Sequence, residues 1–72
     1  MKATHRQILN TYCRMGYVEL SHIPGLELTT MYYNAPNGYN FVAIKGSERI
    51  NVKFIPILED LYKHEEELLN SL

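Results

Sequence analysis

Met31-Tyr32-Tyr33-Asn34-Ala35-Pro36-Asn37-Gly38-Tyr39-Asn40-Phe41 places a turn between two aromatic-rich segments. Pro36 presets φ for the first turn position, Asn37 tolerates a compact conformation, and Gly38 can take the left-handed one. Such a turn closes residues 26–33 and 39–45 into an antiparallel hairpin. A three-residue loop pairs Ala35 with Tyr39, and a five-residue loop pairs Tyr33 with Tyr39. Either register sets odd positions opposite odd ones, so the side chains sort onto two faces. Leu26, Leu28, Thr30, Tyr32, Val42 and Ile44 make an even, largely aliphatic face suited to lie beneath helices. Met31, Tyr33, Tyr39 and Phe41 make an aromatic stripe on the odd face.

Outward from the hairpin, further elements follow by pattern. Thr4-His5-Arg6-Gln7 fits a capping box, with Thr4 as the N-cap and Gln7 three residues on. Ile8, Leu9, Tyr12 and Cys13 then recur at helical spacing, and Gly16 suits the stop, so a helix is predicted over residues 5–15. Residues 17–23 alternate and end at Pro24-Gly25, which reads as a strand whose register the following loop leaves open. Residues 49–55 alternate again, with Ile50, Val52 and Phe54 on one side. Pro56 is acceptable in a first helical turn. Beyond it Ile57, Leu58, Leu61, Tyr62, Leu68, Leu69 and Leu72 form one apolar stripe of a long final helix. Glu59 and Asp60 sit where the helix dipole favours acids. The predicted fold is α+β in two layers. A three- to four-stranded antiparallel meander carries the amino- and carboxy-terminal helices on one face.

The 72 residues make a single domain, 1–72, near the small end of what folds alone, so self-association would help the fold. A single cysteine, Cys13, excludes an intrachain disulfide. The amino terminus lacks the apolar run of a signal peptide, and no stretch is long and apolar enough to span a membrane. A soluble cytoplasmic protein with no membrane partner is the expectation. The net charge of −1 is uneven: residues 1–18 carry +3, and residues 56–72 carry −4.

Motifs for chemistry are missing. His5, His22, His64 and Cys13 are scattered in sequence, without metal-ligand spacing. Cys13 falls on the apolar stripe of the first helix, where a buried, inert thiol is expected. The glycines sit singly at turns, so no phosphate-cradling loop forms. The expectation is therefore a protein that is not an enzyme and holds no cofactor or metal.

Two binding classes remain. A contiguous aromatic face is more apolar surface than a small monomer usually exposes, and tyrosine and methionine are favoured at protein interfaces. The expected docking residues are Met31, Tyr33, Tyr39 and Phe41, with Glu65, Glu66 and Glu67 as an acidic end that steers a basic partner. On this reading the chain is a regulator or inhibitor that binds another protein or itself. Its size and lack of cofactor motifs also suit an accessory protein of a phage or mobile element, although no residue carries that origin. The alternative is a small nucleic-acid module of helix–sheet–helix order, resembling a double-stranded-RNA-binding domain in order alone. Glu59 and Asp60 stand where that module needs bases, and only Lys45 and Lys53 flank the aromatics.

Overall fold

The computed structural model describes residues 3–72; Lys2, one of the three basic residues near the amino terminus, lies outside them. The element order is α1 (His5–Arg14), β1 (Val18–Ile23), β2 (Leu28–Ala35), β3 (Gly38–Lys45), β4 (Glu48–Ile55) and α2 (Leu58–Asn70). The strands form one antiparallel meander in the order β1-β2-β3-β4, an α+β fold with a helix at each end.

Local sequence chemistry accounts for the element ends. The Gln7 N–H donates to Thr4 Oγ1 at 3.2 Å, and the Thr4 N–H donates to Gln7 Oε1 at 2.9 Å, so the capping box forms as read. The β1–β2 connection is a 3₁₀ turn at Pro24–Leu26 closed by Glu27 at φ 49°, so β2 begins at Leu28 rather than at residue 26. Gly46-Ser47 joins β3 to β4, with Gly46 at φ 60°. Positive φ at the first turn position alone marks a type II′ hairpin, whose twist matches that of the strands. The second helix starts at Leu58, with Ile57 as its N-cap and Pro56 outside it.

The β2–β3 turn corrects the expected face assignment. Its loop holds two residues, Pro36 and Asn37, and Ala35 pairs with Gly38. Gly38 thus belongs to the ladder, at φ 157°, and supplies the fourth position of a turn led by proline. A two-residue loop sets odd positions opposite even ones. Met31 pairs with Val42, and Tyr32 with Phe41.

One face therefore carries Thr29, Met31, Tyr33, Asn40, Val42 and Ile44, and the other Leu28, Thr30, Tyr32, Tyr39, Phe41 and Ala43. Both faces are covered. Ile8, Leu9 and Tyr12 of α1 pack on Met31, Val42 and Ile44. Leu61 of α2 is fully buried with Phe41, Ala43 and Ile55, and Leu68 packs beside them. The helices lie on opposite faces, in three layers, rather than together on one. Each face has its own apolar cluster, and each needs a cover.

Polar groups fasten both helices. On the α1 face, His5 Nδ1 donates to the Gly46 carbonyl at 2.7 Å. Its Nε2 accepts from the fully buried Thr29 hydroxyl at 2.9 Å, and Thr29 Oγ1 accepts from His22 Nδ1 at 2.8 Å. The carbonyl can only accept, so for a neutral His5 ring the proton order of this chain follows from it. On the α2 face, one oxygen of Glu65 accepts from the Ser21 and Thr30 hydroxyls, both at 2.7 Å. His64 Nε2 donates to Asn51 Oδ1 at 2.8 Å, and its ring meets Phe41 edge-on at 4.9 Å. Among the described residues, every buried side-chain nitrogen and oxygen has a partner. Cys13, expected on a buried stripe, is exposed, because α1 turns Ile8, Leu9 and Tyr12 toward the sheet.

Candidate functional site

The expected aromatic face does not form. Met31 and Phe41 are buried, 1% and 0% exposed, under different helices. Tyr33 lies on the α1 face and Tyr39 on the α2 face. Tyr33 belongs to a small cluster at the end of α1, with Tyr17 5.6 Å from it and Tyr12 4.9 Å from Tyr17. Burial, with the Tyr12 phenol next in weight, raises the Tyr17 pKa above its ordinary value. Of the acidic trio, Glu65 is committed to Ser21 and Thr30, whereas Glu66 and Glu67 are exposed.

An uncovered apolar strip lies elsewhere, on β4, while Ile57, Leu58 and Tyr62 at the start of α2 are exposed as well. Val52 pairs with Val42 and Phe54 with Asn40, so both side chains stand on the α1 face. α1 packs over β2 and β3, and the Arg49 guanidinium of β4 donates to the Tyr12 hydroxyl of α1 at 3.3 Å. Beyond that contact Val52 is 65% exposed and Phe54 44%. Ile50, also exposed, is the extra residue of a β-bulge between Arg49 and Asn51.

β4 is also an edge strand, and among the described residues no strand pairs with its outer side. Asn51–Ile55 continue past the bulge in regular register with β3. The other edge is blunter: β1 is six residues long and carries its own bulge between Glu19 and Ser21. On the α2 face the same edge borders an open groove of about 310 Å³, lined by Lys53, Pro56, Asp60, Lys63, His64 and Glu67 among others. These side chains mix both signs of charge. Burial and nearby Lys53 hold the His64 imidazole below its ordinary range, against the opposing pull of Glu67.

His5 and His22 meet at Thr29 with their rings 6.2 Å apart, whereas His64 lies on the opposite face, and no cluster of three or more His, Cys, Asp or Glu able to hold a metal occurs among the described residues. No described helix is long and apolar enough to cross a membrane. In comparisons with known proteins, the chain matches no family model, no curated protein and no solved structure. The alternation of Ile50, Val52 and Phe54 was visible in the sequence. Their exposure depends on where α1 lies.

Proposed function

We propose that this chain is a small, non-catalytic protein-binding module that docks through the outer edge of β4. The observation that carries the reading is Val52. It is a large apolar side chain left mostly in water, at the middle of a strand whose outer edge no other strand covers among the described residues. An added strand would use the free backbone groups for affinity and the alternate side chains for specificity. Phe54 and Ile50 extend the apolar contact on the same edge, and Tyr33 stands on the same sheet face. Glu66 and Glu67, exposed on α2, act on the rate of encounter with a basic partner. A lone exposed thiol suits a reducing compartment such as the cytoplasm.

The test is affinity capture from the native host with the wild-type chain and with Val52→Lys, read by mass spectrometry. A protein held by the wild type and lost by a folded Val52→Lys chain supports the reading. Equal capture by both places the docking site away from β4.

A further inference from the structure

We infer that Asn37 is a site of spontaneous covalent modification, where the Gly38 backbone nitrogen converts the asparagine to an acidic residue. The inference is independent of how β4 docks. The chain holds six asparagines, and Asn37 alone is followed by glycine. Each of the other five precedes a residue with a side chain, which crowds the attacking nitrogen. Those five also lie inside helices or strands. Asn37 sits in an exposed two-residue loop, beside an open hollow of about 320 Å³ that admits water.

The chemistry needs only this backbone and water. The Gly38 nitrogen gives up its proton to solvent and attacks Cγ of Asn37. A C–N bond forms, the bond from Cγ to the side-chain nitrogen breaks, and that nitrogen leaves as ammonia after taking a proton. The product is a five-membered cyclic imide. Water then adds to one of its two carbonyl carbons and breaks the bond from that carbon to the Gly38 nitrogen. Opening at Cγ gives aspartate on an unchanged backbone. Opening at the main-chain carbonyl gives isoaspartate, whose backbone runs through Cβ and Cγ. Either product is ionised at neutral pH and adds one negative charge to the net −1.

The fold sets the rate and separates the two products. Gly38 pairs with Ala35, so attack requires the last pair of the β2–β3 ladder to open. An end pair opens at far less cost than the whole molecule. The reaction therefore runs in the folded chain, more slowly than in the unfolded one. Aspartate fits the exposed turn as asparagine does. Isoaspartate adds one backbone bond of about 1.5 Å to the two-residue loop. Gly38 cannot take up that length, because a Cβ built there already meets the Pro56 Cα at 2.9 Å and the Ile55 carbonyl oxygen at 3.0 Å. The Ala35–Gly38 pair then stays open, and the adjoining end of the β3–β4 ladder loosens with it.

The test is incubation of the purified chain in mildly alkaline buffer, sampled by peptide mass spectrometry. A gain of about one dalton should appear at Asn37 before any other asparagine, and faster when the chain is unfolded in urea. Urea below the unfolding transition should leave the folded rate nearly unchanged, because a local opening exposes little surface. The two products are then separated by chromatography and unfolded in urea. The aspartyl chain should keep the midpoint of the fresh chain, and the isoaspartyl chain should unfold at a lower one. The inference is overturned if Asn37 keeps its amide in the folded chain, if another asparagine converts first, or if folded and unfolded chains convert at equal rates. An isoaspartyl chain as stable as the fresh one overturns it too.

Discussion

Phe41 and Tyr33 show how one pleat separates a core residue from a surface one. Phe41 is completely buried against Ala43, Ile55 and Leu61, so Phe41→Ala should cost ~3–5 kcal/mol. Tyr33 is 37% exposed and touches Tyr17 at the rim of the sheet, so Tyr33→Ser should cost about 1 kcal/mol or less. Urea denaturation of the two variants checks the contrast; comparable losses would mean that the register between β2 and β3 is wrong. Gly38 is fixed by close approach. A Cβ built there would meet the Phe54 ring at 2.6 Å, the Pro56 Cα at 2.9 Å and the Ile55 carbonyl oxygen at 3.0 Å. The ring can swing away, but the backbone of Pro56 and Ile55 cannot move without opening the β3–β4 ladder. Gly38→Val should therefore destabilise by ~1–3 kcal/mol, whereas Asn37→Asp, on an exposed turn, should be nearly silent in the same assay.

The two helices are held differently, and the difference sets their stabilities. α2 buries Leu61 completely, so Leu61→Ala should cost ~2–5 kcal/mol by chemical denaturation. α1 has no fully buried residue and leans on its capping box, its half-buried stripe and the His5 hydrogen bonds. Removing the cap by Thr4→Ala should cost ~1 kcal/mol. Amide exchange in α1 should then speed up before exchange in β3 does. The capping box was legible in the sequence because it is a contact over three residues. The strands and the second helix were legible because alternation and helical spacing are local. The faces were not, because they hung on whether Gly38 lies in the loop or in the ladder. One residue of loop length exchanges the partners of every β3 side chain, which moved Phe41 away from Met31 and set the helices on opposite faces. The candidate site was missed for a related reason. Ile50, Val52 and Phe54 read as one stripe, but only the position of α1 over β2 and β3 decides that the stripe meets water.

At the scale of the whole molecule, a four-stranded sheet is clasped from both sides, and each clasp joins apolar contacts to a polar latch. On the α2 side the latch includes His64, whose Nε2 donates to Asn51 and whose ring lies edge-on to Phe41. Burial first, and the Lys53 charge second, disfavour its protonation, so its pKa falls below the ordinary 6.5; Glu67 opposes the shift without cancelling it. The sign of the stability effect follows from linkage. Below about pH 6.5 the unfolded chain takes up the proton while the folded chain resists it, so the unfolded state binds more protons in that window. The contribution of His64 is therefore fully present above pH 6.5 and is lost as the pH falls toward the lower folded value. His5 and His22 share Thr29 on the other face and are common to wild type and variant, so the comparison isolates His64. Unfolding free energies measured between about pH 8 and about pH 5.5 should decline more steeply for the wild type than for His64→Gln. The two curves should converge at the acid end. Parallel curves across that range would show that His64 protonates as readily in the folded chain as in the unfolded one, and that the latch on Asn51 does not depend on a neutral imidazole.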